Sequence, residues 1–426
     1  MKENQVIKAI QDGSFDDAFK KVYVTEKEIA HQKERYVEAI EAFKTIFGDD
    51  REIMVLSAPG RTEVCGNHTD HNHGKVLAAA INLDAIAIAS PNGENCIRVK
   101  SKGYDMDYIT LDELESNPNE YGRSEALLRG VCARLKELGY KVGGFDAYTT
   151  SDVFSGSGLS SSAAYEVLLG TIFSHLFNDG KLDAVPNAQV AQYAENKFFG
   201  KPCGLMDQMA SSVGSFVTID FNDPAKPIIE KVNFDFAACG HSLCILDTGG
   251  NHADLTDDYA AVRKEMEDAA AVMGKKVLRE ADYNQFIKAI PEIREKVNDR
   301  AVLRAIHFFN ENKRVETAVK ALNDNDFETF KQTIIASGKS SFMYNQNVFT
   351  PKNVAEQGVS LSLALTDELL CGKGAFRVHG GGFAGTIQAF VPNDMLDEYK
   401  KTMESVLGEG SCYVLSIRPV GGVRVI

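Results

Sequence analysis

The spacing of apolar and polar residues divides the chain into alternating helical and extended segments. Apolar positions recur every three or four residues in 1–50, 121–139 and 189–199, which predicts helices with one buried face. Nearly uniform apolar runs at 53–58 and 76–89 predict buried strands, the first ending at the turn signal Pro59-Gly60. The other predicted elements are a strand at 145–149, helices after 158 and at 206–213, strands within 213–250, helices over 257–340, a strand–glycine turn–strand unit at 375–391 and strands at 414–426.

Length and charge then limit the possible classes of protein. A chain of 426 residues exceeds one compact core, so we expect two domains, residues 1–200 and 201–426, with the C-terminal strands able to return to the first. The net charge of -14 argues against nucleic acid, and there is no basic run for a membrane surface. Because no apolar run approaches a membrane span, no signal core opens the chain and the cysteines are scattered, we expect a cytoplasmic protein.

The segment from Gly156 to Ala164 carries the strongest chemical signal. Gly156 and Gly158 permit a tight turn, and Ser160, Ser161 and Ser162 follow at the start of a predicted helix. Free N–H groups and the positive end of the helix dipole suit a phosphate there. The alternative is a helix merely capped by serine after a glycine turn.

A polar loop lies between the first two predicted strands. Asp70 can accept two hydroxyl hydrogen bonds, while Asn67 and His68 can both donate and accept, as recognition of a polyhydroxylated ligand requires. Because His68, His71 and His73 lie within six positions, a metal site is an alternative. A loop that is simply solvated is the other.

Two further segments complete the candidate chemistry. Glu195 and Asp207 are carboxylates twelve residues apart, suited to holding a divalent cation and acting on a hydroxyl, unless both are helix-surface acids. The glycine-rich run at 380–385 matches a dinucleotide fingerprint formally, but a strand follows it where that fingerprint needs a helix. We therefore expect a glycine turn packed beside a phosphate site or another loop.

Together these motifs resemble the galactokinases of the GHMP small-molecule kinase superfamily, over nearly the whole chain from about residue 35. The matching segments are Pro59-Gly60-Arg61 with the loop at 66–72, Gly-Leu-Ser-Ser-Ser-Ala at 158–163, Ala194-Glu195 with Pro202-Cys203-Gly204-Leu205-Met206-Asp207-Gln208, and Arg377 to Gly385. The resemblance implies a two-domain GHMP-kinase fold of mixed α/β class, with the active site in the cleft between domains. It implies transfer of the γ-phosphate of ATP, with Mg²⁺, to the C1 hydroxyl of galactose.

The resemblance also implies a role for each matched residue. Asp207 and Arg61 would be catalytic, and Ser161 and Glu195 would hold Mg²⁺. The implied sugar-binding residues are Asn67, His68, Asp70, Gly204 and Tyr259. The implied ATP-binding residues are Gly156, Ser157, Gly158, Leu159, Ser160, Ser161 and Ser162.

The sequence departs from the galactokinase pattern mainly in the polar loop. Asn67 replaces a glutamate that binds a sugar hydroxyl, and Glu63 stands where the family usually has asparagine. His71 replaces a tyrosine, and His379 alters the last motif. The departures leave the phosphoryl-transfer residues untouched, so they bear on the sugar. Galacturonate, arabinose or N-acetylgalactosamine are alternative substrates, and a non-catalytic sensor of sugar and ATP is an alternative function.

Overall fold

The structure, a computed structural model, describes residues 1–153, 158–201, 203–250 and 255–426. The helices are α1 (Glu3–Gln11), α2 (Asp16–Tyr23), α3 (Glu26–Phe47), α4 (Ser124–Glu137), α5 (Ser161–Phe177), α6 (Ala184–Ala194), α7 (Met206–Val213), α8 (Thr256–Val272), α9 (Tyr283–Lys296), α10 (Asp299–Asn323), α11 (Phe327–Ser340), α12 (Gly358–Leu370) and α13 (Leu396–Leu407). The strands are β1 (Met54–Cys65), β2 (Lys75–Pro91), β3 (Cys96–Ser101), β4 (Met106–Thr110), β5 (Phe145–Ser151), β6 (Phe216–Asp220), β7 (Ile228–Val232), β8 (His241–Asp247), β9 (Ala375–His379), β10 (Thr386–Pro392), β11 (Cys412–Leu415) and β12 (Val423–Arg424).

The chain forms two compact units that do not follow a single division of the sequence. Unit 1 comprises Met1–Arg61, Ala80–Ser215 and Arg418–Ile426, and unit 2 comprises Thr62–Ala79 and Phe216–Ile417. This differs from the expected division at residue 200, because strand pairing joins segments that are distant in sequence. In unit 2 the first residues of β2 pair with β6, and in unit 1 the C-terminal β12 pairs with β1.

Unit 1 is built on a sheet of order β12-β1-β2-β5-β3-β4. The pairs β12–β1, β2–β5 and β3–β4 are antiparallel, whereas β3 and β5 run parallel. Helix α6 packs against α4, α5 and α7, and α3 packs on β5. The N-terminal helices bury Phe19, Tyr36 and Phe43 in one cluster with Ile86 and Ile88 of β2, so the amphipathic stripe in 1–50 has a partner.

A buried carboxylate joins the N-terminal helices to the sheet of unit 1. Asp84 on β2 is fully buried and accepts from Arg35 Nη1 at 2.7 Å, Arg418 Nη1 at 3.1 Å and Tyr23 Oη at 2.7 Å. Ser57 of β1 also donates to it. Burial alone would raise the pKa of Asp84, but Arg35 and Arg418 outweigh that effect and lower it. The carboxylate therefore stays ionised.

We expect Asp84→Asn to lower the free energy of unfolding by about 3–5 kcal/mol, because buried Arg418 loses its charged partner and Arg35 keeps only Asp152. Urea unfolding of the variant and the parent measures the loss. The matched control is Asp50→Asn, since the Asp50 side chain is 75% exposed and its pair with Lys2 lies at the surface. The control should stay within about 0.5 kcal/mol of the parent. A loss below about 1 kcal/mol for Asp84→Asn would contradict this role.

Unit 2 contains a four-stranded antiparallel sheet of order β11-β8-β10-β9. One apolar cluster lies between this sheet and α12 and α13, and a second lies among α8, α9 and α10. The unit also holds the antiparallel pair β6–β7. Among all the helices described in the two units, none is both long enough and apolar enough to span a membrane.

Most predicted elements are confirmed, but two boundaries were wrong. The first strand continues through Pro59-Gly60 to Cys65 instead of turning there. A Cβ on Gly60 would lie 2.8 Å from the carbonyl oxygen of Leu159, so the glycine serves close approach and not a turn. The helix expected over 189–199 ends at Ala194 and continues as one turn of π-helix, Glu195–Phe199. Such turns occur often at functional sites.

Candidate functional site

In unit 1, Arg61 and Asp207 form a bidentate ion pair. Arg61 is the last residue of β1 that belongs to unit 1, and Asp207 lies in the first turn of α7. Arg61 Nε donates to Asp207 Oδ1 at 2.7 Å and Nη2 donates to Oδ2 at 2.8 Å. Fork-to-fork pairing fixes orientation as well as charge. The structure thus joins the two residues that the sequence predicted to be catalytic.

The start of α5 meets this pair. Ser160 precedes the helix in the left-handed region, with φ of 58°, and its hydroxyl donates to Asp207 Oδ2 instead of capping the helix. Arg61 Nη1 donates to the carbonyl of Gly158, and the Arg61 amide donates to the carbonyl of buried Leu159 at 3.0 Å. The alternative of a serine cap therefore does not hold for Ser160.

The first turn of α5 retains its anion-binding character. Ser161 and Ser162 are its first two residues, both half-buried, and the turn contains no acidic side chain. Backbone N–H groups in a first helical turn have no partner within the helix. Gly156 and Ser157, which the sequence also assigned to ATP, lie outside the described residues.

Asp207 is held ionised by its neighbours. Burial would raise the pKa of its carboxyl, but the charge and hydrogen bonds of Arg61 and the Ser160 hydroxyl outweigh burial and lower it. The side chain is 34% exposed, so a ligand can reach it. Gly204, one of the predicted sugar residues, is exposed just before α7. An ionised, reachable carboxylate can accept a proton from a hydroxyl group.

Glu195 lies in a second polar cluster of unit 1, which includes residues that the sequence analysis missed. Gln208 Nε2 donates to Glu195 Oε2 at 2.8 Å and to Glu166 Oε2 at 3.1 Å. Lys201 Nζ lies 3.0 Å from Glu195 Oε1. Burial, and secondarily the charge of Glu195, raises the pKa of Glu166 well above its usual range. The available signal was that Glu166 is the one acidic residue in the sequence of α5.

The oxygens of this cluster fit the magnesium ion that the resemblance implies. Glu166 Oε1 and Gln208 Oε1 are buried without a hydrogen-bond partner beside the Glu195 carboxylate. Mg²⁺ prefers oxygen ligands and usually takes only one or two protein carboxylates together with substrate phosphates. Accordingly, the described residues contain no cluster of three or more His, Cys, Asp and Glu that could hold a metal on its own.

In unit 2, three of the predicted sugar-binding residues contact the same glycine turn. Asn67 Nδ2 lies 2.6 Å from the carbonyl oxygen of Gly380, His68 Nε2 lies 2.9 Å from that of Gly381, and Tyr259 Oη lies 3.0 Å from that of Gly382. The glycine turn therefore packs against the polar loop, one of the two placements expected from the sequence. Asp70, the fourth predicted residue of this unit, is half-buried at the start of a 3₁₀ turn, Asp70–Asn72.

The side-chain amide of Asn67 makes all its hydrogen bonds within the protein. Its amide also donates to Glu63 Oε1 at 2.9 Å, and its oxygen accepts from Asn347 Nδ2 at 2.8 Å and from the Ser341 hydroxyl at 3.5 Å. Asn67 is 1% exposed. Because every donor and acceptor of the amide has a partner, this geometry supports a bracing role and gives no support to direct sugar contact by Asn67.

Two departures from the galactokinase pattern, one near the end of β1 and one in the polar loop, lie side by side. Glu63 stands at the family's asparagine position, Asn67 stands at its glutamate position, and the two side chains hydrogen-bond to each other. Glu63 also pairs with fully buried Arg377 at 3.3 Å. Glu63 thus supplies a carboxylate beside the Asn67 amide, a contact that neither departure reveals when considered alone.

We expect the exchange of Glu63 and Asn67 to be energetically coupled. Asn67→Glu places a second carboxylate beside Glu63, and Glu63→Asn deprives Arg377 of its charge partner, so each single variant should be destabilised. The double variant restores one amide and one carboxylate. Urea unfolding of the four proteins should give a coupling of about 1–3 kcal/mol. Additive losses within about 0.5 kcal/mol would contradict the pairing.

Helix α10 anchors the polar loop from below through two buried side chains. Glu311 accepts from the Gly66 amide at 3.1 Å and from Arg314 Nε at 2.6 Å. His307 Nε2 lies 2.9 Å from the Asn67 carbonyl oxygen, and Nδ1 lies 2.9 Å from the Ser340 hydroxyl. Burial lowers the pKa of His307 to about 4, so the imidazole is neutral at pH 7.

This histidine should make stability fall in mild acid. Since the pKa of His307 is about 4 in the folded chain and about 6.5 when unfolded, the unfolded chain takes up the proton first. The contribution to stability is complete above pH 6.5 and is lost as the pH falls towards 4. We expect His307→Gln to reduce the slope of unfolding free energy over that window by up to about 1.4 kcal/mol per pH unit. Exposed His31→Gln is the control, and parallel curves for parent and His307→Gln would contradict the assignment.

Comparison with known proteins agrees with these features. Residues 41–91 match the galactokinase galactose-binding signature, and residues 126–215 match the N-terminal domain of GHMP kinases. A galactokinase from Streptomyces coelicolor is 31% identical over 367 residues, covering 85% of this chain and 91% of that protein.

Two solved structures share the fold. The crystal structure of Lactococcus lactis galactokinase complexed with galactose superposes with a TM-score of 0.75 at 24% identity, covering 90% of this chain and 98% of that chain. Mevalonate kinase from Methanococcus jannaschii gives a TM-score of 0.62 at 16% identity, covering 86% and 98%. The expected α/β class and GHMP-kinase fold are confirmed.

Proposed function

Because the chain belongs to the galactokinase family, we propose that it transfers the γ-phosphate of ATP to the C1 hydroxyl of galactose, forming galactose 1-phosphate. The family match spans most of the chain, and the resemblance seen in the motifs is confirmed. The single observation that carries the reaction is Asp207, an ionised and reachable carboxylate bound to Arg61 and to Ser160 at the start of α5.

Asp207 would accept the proton of the sugar hydroxyl. Phosphoryl transfer needs alignment and neutralisation of charge more than covalent chemistry. Arg61 keeps Asp207 ionised and supplies positive charge close to the developing alkoxide. The N-terminal turn of α5, with Ser161 and Ser162, would bind the phosphates, and Gly156 and Ser157 remain predicted members of that site.

Glu195 and Ser161 would hold Mg²⁺, with phosphate oxygens completing its ligands. When bound, the ion supplies charge neutralisation on the transferred phosphoryl group. Gln208 orients the Glu195 carboxylate through its hydrogen bond to Oε2. A cytoplasmic location, where ATP and Mg²⁺ are available, belongs to the same proposal.

Sugar recognition falls to His68, Asp70, Gly204 and Tyr259 in this proposal. The three polar side chains offer donors and acceptors of the kind that hydroxyl groups need. We assign Asn67 to bracing the loop, since its amide is already saturated. The altered Glu63–Asn67 pair keeps open a preference for another sugar, such as galacturonate, arabinose or N-acetylgalactosamine.

The test is ATP consumption with a panel of these sugars, using parent protein and Asp207→Asn. We expect galactose to give the highest kcat/KM. Asp207→Asn should lower kcat by about a hundredfold or more, because an amide cannot accept the proton, while calorimetry still detects galactose binding. Retention of more than about a tenth of kcat would remove Asp207 from this role. Sugar binding by the parent without turnover would favour the sensor alternative.

A further inference from the structure

Lys201 occupies an unusual position two residues after the π-helical turn of unit 1. Its amide donates to the carbonyl of Glu195 at 3.2 Å, which returns the chain towards that residue. Its ammonium lies 3.0 Å from Glu195 Oε1. The Lys201 side chain is 62% exposed while that of Glu195 is 3% exposed. A solvent-accessible ammonium group thus pairs with a buried carboxylate.

A chain of hydrogen bonds and one ion pair connects Lys201 to the start of α5. The Ser160 hydroxyl donates to Asp207, Gln208 follows Asp207 on α7, and Gln208 donates to Glu195. Lys201 then binds the other oxygen of Glu195. The charge of Lys201 also contributes to lowering the pKa of Asp207. The ammonium therefore belongs electrostatically to the same site as the catalytic carboxylate.

A divalent cation on Glu195 would compete with this ammonium. Gln208 donates to Oε2 and Lys201 binds Oε1, so a Mg²⁺ that approaches Oε1 meets the ammonium. Two cations at one carboxylate oxygen repel each other. Negatively charged phosphate oxygens relieve that repulsion, because the displaced ammonium can donate to them while Mg²⁺ takes the carboxylate.

We propose that Lys201 holds the magnesium position on Glu195 in the metal-free chain and moves to the nucleotide phosphates when Mg²⁺ binds. This rests on the proposed function, since it takes the phosphates to be those of ATP. Lys201 makes Mg²⁺ binding depend on the nucleotide, and by linkage makes nucleotide binding depend on Mg²⁺. An ordinary exposed ion pair would contribute little to either equilibrium.

The experiment compares parent protein with Lys201→Met, Lys201→Arg and the control Lys197→Met. Lys197 is exposed on the preceding π-helical turn, so its substitution removes an equal charge nearby. Calorimetry measures the binding of Mg²⁺ alone and of a non-hydrolysable ATP analogue with Mg²⁺. Melting temperature confirms that each variant is folded.

Lys201→Met should bind Mg²⁺ alone about three- to fivefold more tightly, because its competitor is gone. It should bind the ATP analogue about tenfold or more weakly, because a charged donor to phosphate is lost. Lys201→Arg and Lys197→Met should resemble the parent in both measurements.

The proposal is overturned if Lys201→Met changes neither affinity, or only one of them, or if Lys197→Met changes both equally. Such results, with a parent that binds the analogue and phosphorylates galactose, leave the proposed function intact. A parent that binds no ATP analogue overturns both.

Discussion

A buried carboxylate is stable only where fixed donors match its oxygens, and this condition governs how unit 1 is assembled. Asp84 draws Arg35, Tyr23, Ser57 and Arg418 to one point on β2. Those donors come from the N-terminal helices, the first strand and the C-terminal segment. The two ends of the chain are thereby tied to the central sheet, which explains why unit 1 is discontinuous in sequence.

The same condition shapes the surroundings of Asp207 and Glu195 in unit 1. Asp207 has three donors from β1 and the start of α5, and Glu195 accepts from Gln208 of α7 and from Lys201 after the π-helical turn. These partners differ in exposure, since the Arg61 side chain is buried whereas the Lys201 side chain is largely exposed. Asp207 is therefore held in one orientation, while one oxygen of Glu195 remains available for exchange.

The sequence predicted most elements because amphipathic periodicity and apolar runs depend on local burial. It singled out Asp207, Arg61 and the serine run, because these residues stand in short motifs with distinctive chemistry. The structure brings Asp207, Arg61 and Ser160 into contact, and their roles stay predictions. It missed Glu166 and Lys201, since their importance arises from contact with Glu195 and from no pattern of spacing. It treated Glu63 and Asn67 as separate departures, because the hydrogen bond that joins them appears only once the loop is folded. The end of β1 was missed because Pro59-Gly60 normally marks a turn, whereas here the glycine accommodates Leu159.

The glycine turn has a consequence for how selective the proposed sugar site can be. His68 Nε2 and Tyr259 Oη contact the backbone carbonyls of Gly381 and Gly382. A site rejects an analogue that lacks a hydroxyl most strongly when that loss leaves a buried polar group unpaired. Here the carbonyls of Gly381 and Gly382 remain available as hydrogen-bond partners. A sugar that lacks one hydroxyl therefore leaves neither His68 nor Tyr259 without a partner. Discrimination at those hydroxyls therefore depends on shape more than on unmet hydrogen bonds, and a binding pocket built in this way favours breadth of substrate over strictness.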